Sequence, residues 1–188
     1  MLPLADELQI QLLRRIAAED RQALADLYDQ IAGSLFAVAF RILGDRHEAE
    51  EVIQDVFVQI WDKAAIFDPM MAAPFTWALS ITRNRSIDRL RSRQRRARLM
   101  DDLEEATGVN SMPVAPTPDV ALADDELTAI RSAVHGLPFE QRQAIEMAFF
   151  GGKTHLEIAE TLKEPLGTIK ARIRRGMLKL RESLQAYL

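Results

Sequence analysis

Cysteine is absent from this chain, which excludes a disulfide framework and any thiolate metal site. Histidine is nearly so: His47, His135 and His155 are scattered, none at a metal-ligand spacing, and His47-Glu48 lacks the second histidine of a zincin motif. A glycine-rich phosphate loop is also missing. Gly151-Gly-Lys-Thr154 echoes the end of one, but Met147 stands where its first glycine would be and no strand precedes it. Neither a nucleophile elbow nor a carboxylate pair in an apolar setting occurs. These gaps leave no catalytic residue, metal or cofactor to propose, so the chain is expected not to be an enzyme. No apolar run approaches a membrane span, and Met1-Leu-Pro-Leu-Ala-Asp-Glu7 lacks a signal peptide's basic start. A cytoplasmic protein without membrane insertion is the expectation.

What is present is helical patterning, with strand signals almost absent. At 188 residues and 48% hydrophobic content the chain can build one or two small cores. Its net charge of −4 hides a strong asymmetry. Arg83 to Arg98 carries eight arginines against Asp88 alone, while Met100 to Glu126 carries eight acids and no Lys or Arg. Local patches, not the sum, decide affinity for phosphate.

Taken in order, Leu8 to Ala18 reads as an amphipathic helix. Asp20 can cap a long apolar second helix reaching Gly44, within which Gly33 marks either a bend or a close approach. Asp45 opens a third, Arg46 to about Ala64. Its apolar stripe is Ala49, Val52, Ile53, Val56, Phe57, Ile60, Trp61 and Ala64. The other face presents Glu48, Glu51, Gln54, Asp55, Val58 and Asp62 with few cations at i,i+4 spacing. A largely unpaired acidic face around an apolar residue suggests a basic protein partner; a plain solvated face is the alternative. After a loop over 66–74 bracketed by Pro69 and Pro74, Phe75 to Leu90 forms a helix that turns basic halfway along. Phe75 and Trp77 suit a core, yet aromatics followed by Asn84, Arg85 and Arg89 also suit single-stranded DNA, where bases stack and phosphates need cations.

The acidic stretch over 99–121, with Pro113, Pro116 and Pro118, reads as a flexible linker, although 101–106 could prolong a helix. Beyond it, 122–134 and 139–150 are helical, and Gly151-Gly152 stops the second. Thr154 with Glu157 makes a capping box for a short helix whose apolar face is Leu156, Ile158, Ala159 and Leu162. A break at Lys163-Glu164-Pro165 follows, and Thr168 can cap a last helix with a buried stripe of Ile169, Ile173, Gly176, Met177, Leu180 and Leu184. At about 100° per residue, Ala171, Arg174, Arg175 and Leu178 lie opposite, with Thr168, Lys170 and Arg172 on the flanks. This is the helix-turn-helix pattern, whose second helix enters the DNA major groove. The expected architecture is all-α: two small helical domains, 8–98 and 122–188, joined by the 99–121 linker, the second a four-helix helix-turn-helix domain.

A stand-alone helix-turn-helix regulator would need a sensing or dimerisation domain, and a helical adaptor would leave two arginine-rich helices without a use. The order of motifs instead resembles extracytoplasmic-function (ECF) sigma factors, the two-domain form of the sigma-70 family, over about Leu8 to Leu184. Asp45-Arg-His-Glu-Ala-Glu-Glu-Val-Ile-Gln-Asp-Val-Phe57 is similar to region 2.2; Phe75-Thr-Trp-Ala-Leu79 with Asn84-Arg-Ser-Ile-Asp-Arg-Leu-Arg91 to regions 2.3 and 2.4. Leu137-Pro-Phe-Glu-Gln-Arg142, Glu157-Ile-Ala159 and Gly167-Thr-Ile-Lys170 resemble region 4. The resemblance implies a promoter-specificity subunit of RNA polymerase, with the β′ clamp coiled coil, the β flap, promoter DNA and an anti-sigma factor as partners. Glu48, Glu51, Gln54, Asp55 and Val58 then fall to polymerase binding. Phe67, Phe75, Trp77, Asn84, Arg85 and Arg89 fall to −10 recognition and melting, with 67–74 as the segment that pockets a flipped base. Thr168, Lys170, Ala171, Arg172, Arg174 and Arg175 fall to the −35 element. One departure is Lys163, where the family's turn usually has glycine; a left-handed conformation there costs a non-glycine residue roughly 1 kcal/mol.

Overall fold

A computed structural model describes residues 4–104 and 132–184. Among them no strand occurs, and the helices group into two compact units, each described here by itself. The first unit holds α1 (Leu4–Ala17), α2 (Arg21–Leu43), α3 (Arg46–Lys63), a 3₁₀ turn (Ala64–Ile66) and α4 (Pro74–Glu104). The second holds α5 (Phe139–Phe149), α6 (His155–Leu162) and α7 (Leu166–Leu184), preceded by helical residues 132–135. The rest of the helix expected over 122–134, and the linker from 105 onward, lie outside the described residues.

Capping fixes where the first-unit helices start. Asp20 accepts from the backbone N–H groups of Gln22 and Ala23 at 2.9 and 3.3 Å. The Arg15 guanidinium bonded to it and those N–H groups hold its carboxyl below the usual range. Asp45 accepts from the Glu48 N–H at 2.8 Å, just after Gly44 has ended α2 at φ +69°, where glycine carries no Cβ penalty. The expected stripe of α3 is buried from Ala49 to Ile60 and packs with α2 and α4. Gly33 admits no close neighbour: it is exposed, and a Cβ there would meet nothing.

Two expectations need correction in this unit. α2 is long and apolar enough, by length and composition, to cross a membrane. Asp29 and Gln30 interrupt its apolar letters, so run length understated its mean hydropathy. In this fold Leu27, Ile31, Leu35, Ala39 and Leu43 are buried, and α2 packs with α1, α3 and α4. Secondly, α4 does not stop near Leu90 but runs through 104, into the stretch expected to be linker. Its buried Thr82 and Ser86 keep their hydroxyls satisfied by donating to the Ala78 and Thr82 carbonyls at 2.9 and 2.8 Å.

In the second unit the capping box is complete: the Thr154 N–H donates to the Glu157 carboxylate at 2.6 Å, and the Glu157 N–H to the Thr154 hydroxyl at 3.2 Å. Ile158, Ala159 and Ile169 form one buried cluster, with Met147, Ala148, Leu162 and Ile173 packed around it, and Leu137, Ala144 and Ile145 are buried as well. α7 approaches α5 at Gly176, where a Cβ would lie 2.6 Å from Ile145 Cδ1. Leu156 and Met177 belong to neither stripe; both are more than half exposed, at the edges of faces narrower than their periodicity suggested. Thr168 is not the cap of α7 either. Its N–H donates to the Pro165 carbonyl at 2.9 Å, so the helix has already begun at Leu166.

Between α6 and α7, Lys163 adopts φ 54°, ψ 42°, and the Glu164 N–H reaches back to the Ala159 carbonyl at 3.0 Å. This left-handed turn directs α7 away from α6 at a conformational cost to a lysine. Lys163→Gly is expected to stabilise the unit by roughly 0.5 kcal/mol, the strain relieved less the entropy glycine adds to the unfolded chain. Slower amide exchange at Ile158 and Ile169 would register the gain, and faster exchange would contradict it.

Candidate functional site

The expected polymerase-facing residues lie along α3, but not on a bare acidic face. Glu48 and Glu51 are engaged by arginines of α4: Arg93 Nη1 is 3.1 Å from Glu48 Oε2, and Arg89 Nη2 bonds Glu51 Oε2. Arg89 Nε lies 3.9 Å from Glu48 Oε1, and His47 Nδ1 3.3 Å from Glu51 Oε1. The unpaired reading of these two glutamates is therefore corrected; their partners come from 38 and 45 residues further along. Gln54 and Asp55 are exposed, and Val58 is 62% exposed. Asp55 has no ion pair or side-chain hydrogen bond among the described residues. It edges a groove of about 420 Å³ between α3 and α4, opposite Arg85 and Arg89. Gln54 edges a second groove of about 520 Å³ between α3 and α2, beside Tyr28 and Phe36. The face is thus a ridge between two clefts, with only its far end electrostatically open.

The expected −10 residues gather where the 67–73 loop meets α4. Phe67 and Trp77 stack at 5.2 Å between ring centroids, tilted by 52°, and both are half-buried, as is Phe75. Asp68 shapes the loop, its carboxylate accepting from the Met70 N–H at 2.8 Å and its carbonyl from the Met71 N–H at 3.1 Å. This turn presents Met70 and Met71 almost entirely to solvent, at 90% and 83% exposure. Both lie in the 67–74 segment expected to pocket a base, but carry no periodic signal that singles them out in the sequence. Asn84 and Arg85 are exposed a little over one turn beyond Ser80, and Arg85 Nε donates to Gln59 Oε1 at 3.0 Å. Arg89 is drawn to α3 instead of pointing free. Arg93, also missed, donates to the Leu43 carbonyl at 2.8 Å as well as to Glu48, tying α4 to the end of α2.

On α7, Lys170, Arg174 and Arg175 are exposed, and no ion pair engages them among the described residues. Thr168 and Ala171 are half-buried on the same helix. Arg172 differs, because its Nη2 bonds Glu164 Oε1 at 3.0 Å, which leaves it less free for a second anion. Leu178, 50% exposed, interrupts this polar face, as expected from the helical wheel. Among the described residues no group of His, Asp and Glu could hold a metal ion.

Comparison with known proteins matches this layout. The family model for sigma-70 region 2 matches residues 27–96, and that for sigma-70 region 4 matches 133–182. The ECF RNA polymerase sigma factor SigK of Mycolicibacterium vanbaalenii is 34% identical over 97% of this chain and 92% of its own length. SigK of Mycobacterium tuberculosis is 32% identical over 92% of this chain and 91% of its own. A crystal structure of Rhodobacter sphaeroides SigE with the anti-sigma ChrR shares 32% identity, covering 93% of this chain and 96% of that one, with a TM-score of 0.48. The chain belongs to the ECF RNA polymerase sigma factors, within the sigma-70 family.

Proposed function

We propose that this chain is a promoter-specificity subunit of bacterial RNA polymerase, acting in the cytoplasm without catalysis or cofactor of its own. The division of labour is 8–98 for polymerase binding and −10 melting, 99–121 as linker, and 122–188 for the −35 element. One observation carries the reading most directly. In a single unit, α3 offers an acidic ridge to a protein while α4 offers aromatics and arginines to DNA. An independent helix-turn-helix with exposed cations follows in the same chain.

Asp55, Gln54 and Val58 are the core-binding residues best placed for the β′ clamp coiled coil, with Glu48 and Glu51 behind them; the β flap is a second polymerase partner. The 67–73 loop, with Phe67, Phe75 and Trp77 beneath it, receives unstacked bases, and Asn84, Arg85 and Arg89 follow the strand. Extracting a base costs a few kcal/mol, which pocket contacts offset. Thr168, Lys170, Ala171, Arg172, Arg174 and Arg175 face the −35 duplex, where each bidentate arginine–guanine contact contributes about 1–3 kcal/mol of discrimination. Run-off transcription on a promoter from the chain's own regulon, with core polymerase alone and with the chain added, tests the whole reading. Transcripts only on addition support it; equal transcripts in both reactions would sink it.

Control by an anti-sigma factor is part of the proposal. Val58 and Leu178 are apolar side chains exposed on otherwise polar faces, one in each unit, and fit a partner that covers both working surfaces. Val58→Glu combined with Leu178→Glu is expected to lower co-purification of such a partner at least tenfold, by burying two charges without partners. Undiminished co-purification counts against this footprint.

A further inference from the structure

Glu51 and Arg89 sit on surfaces assigned above to different partners, yet they are bonded to each other. The pair is half-exposed, with side-chain exposures of 42% and 34%, so it is open to competition from either side. A carboxylate presents two acceptor oxygens to a guanidinium much as a phosphate does. Arg93 has a second, neutral anchor in the Leu43 carbonyl, whereas Arg89 is held by the carboxylates of Glu51 and Glu48 among the described residues. Arg93 is thus the fixed member of the cluster and Arg89 the movable one.

We propose that Glu51 is a coupling residue that holds Arg89 as a stand-in for DNA phosphate until polymerase binds. When a basic side chain of the polymerase takes the Glu51 carboxylate, Arg89, which already lines the groove with Arg85, Glu48, Asp55 and Asp88, loses its bond to Glu51 and a DNA phosphate can take it. Linkage makes the effect reciprocal: a phosphate that captures Arg89 leaves Glu51 available and strengthens polymerase binding by the same factor. The inference rests on the assignment of α3 to polymerase and α4 to DNA. It also accounts for an acidic helix two of whose glutamates are neutralised from within.

The test uses the full chain, a fluorescent single-stranded 20-mer of mixed sequence, and core polymerase. Glu51→Gln, which keeps the shape and removes the charge, is expected to tighten binding of the free chain to the 20-mer about threefold to tenfold, the size of a modest coupling. Adding Arg89→Ala should abolish that gain. Arg89→Ala alone should tighten core polymerase binding by about threefold, because Glu51 is then uncommitted; a residue that merely holds the fold together would loosen it. Unchanged 20-mer binding by Glu51→Gln, or weaker core binding by Arg89→Ala, overturns the inference while leaving the proposed function standing if the parent chain binds core polymerase. Failure of the parent to bind core polymerase overturns both.

Discussion

Asp55→Arg is expected to weaken binding to core polymerase by about 100-fold or more, while the helical content and unfolding midpoint stay near those of the parent. The separation of effects follows from its surroundings. Asp55 is exposed on α3 and has no ion pair or side-chain hydrogen bond among the described residues, so no intramolecular contact is lost with the carboxylate. The new arginine faces Arg85 and Arg89, and also Asp88, across an open groove, where the net screened effect at the surface is well under about 1 kcal/mol. Against a basic partner the same change replaces attraction by repulsion in a desolvated interface, where charged contacts are worth about 2–5 kcal/mol. Affinity for core polymerase, measured by competition with a labelled parent chain, checks the prediction. Arg175→Ala is the complementary control, expected to weaken promoter binding with a shallower salt dependence and to leave core affinity unchanged. An Asp55→Arg chain that binds core normally would remove α3 from the polymerase interface.

Helical periodicity and capping chemistry were the parts legible in the amino-acid order. Asp20, Asp45 and the Thr154–Glu157 box all act within four residues of themselves, so local rules suffice for them. The broad stripe of α3 is buried as its spacing implies, because a wide face tolerates error in angle. Narrow faces do not: Leu156 and Met177 match the helical period but fall at the boundary of small contact areas and end exposed. α4 outlasts its expected end for a plain reason. The switch from arginines to acids after residue 98 marks a change in composition, yet no glycine or proline occurs between Phe75 and Gly108 to stop a helix. Composition shifts locate changes of role, whereas breakers locate ends of helices.

The acidic face of α3 shows a different limit. Absence of a cation at i,i+4 was read as absence of a partner, but Arg89 and Arg93 reach Glu51 and Glu48 across the gap between two helices. The packing of α3 on α4 aligns those charges. The candidate site is therefore smaller than its sequence outline. Its electrostatically open end is Asp55, Gln54 and Val58, while the glutamates belong as much to α4 as to α3.

Ile169→Ala is expected to unfold most of the helix-turn-helix unit and to reduce −35-dependent transcription at least tenfold, with binding to core polymerase through the first unit retained. Ile169 and Ile158 are fully buried, and with Ala159 they are the whole of the buried cluster between α6 and α7. Truncating an isoleucine in such a place costs about 2–5 kcal/mol, because a cavity remains where neighbours cannot close in. A unit this small rarely holds more than about 3–5 kcal/mol of net stability, so one substitution consumes most of it. The surrounding Met147, Leu162 and Ile173 are only partly buried, so the remaining buried apolar side chains of the unit, among the described residues, are Leu137, Ala144 and Ile145. Met177→Ala on the same helix makes the contrast: its side chain is 53% exposed, and its loss should change stability by less than about 1 kcal/mol. Amide exchange across α6 and α7 in the full chain distinguishes the two variants. Protection of α6 that survives Ile169→Ala would mean that the recognition helix is held by contacts other than this core, and its cations would then be positioned independently of the turn at Lys163.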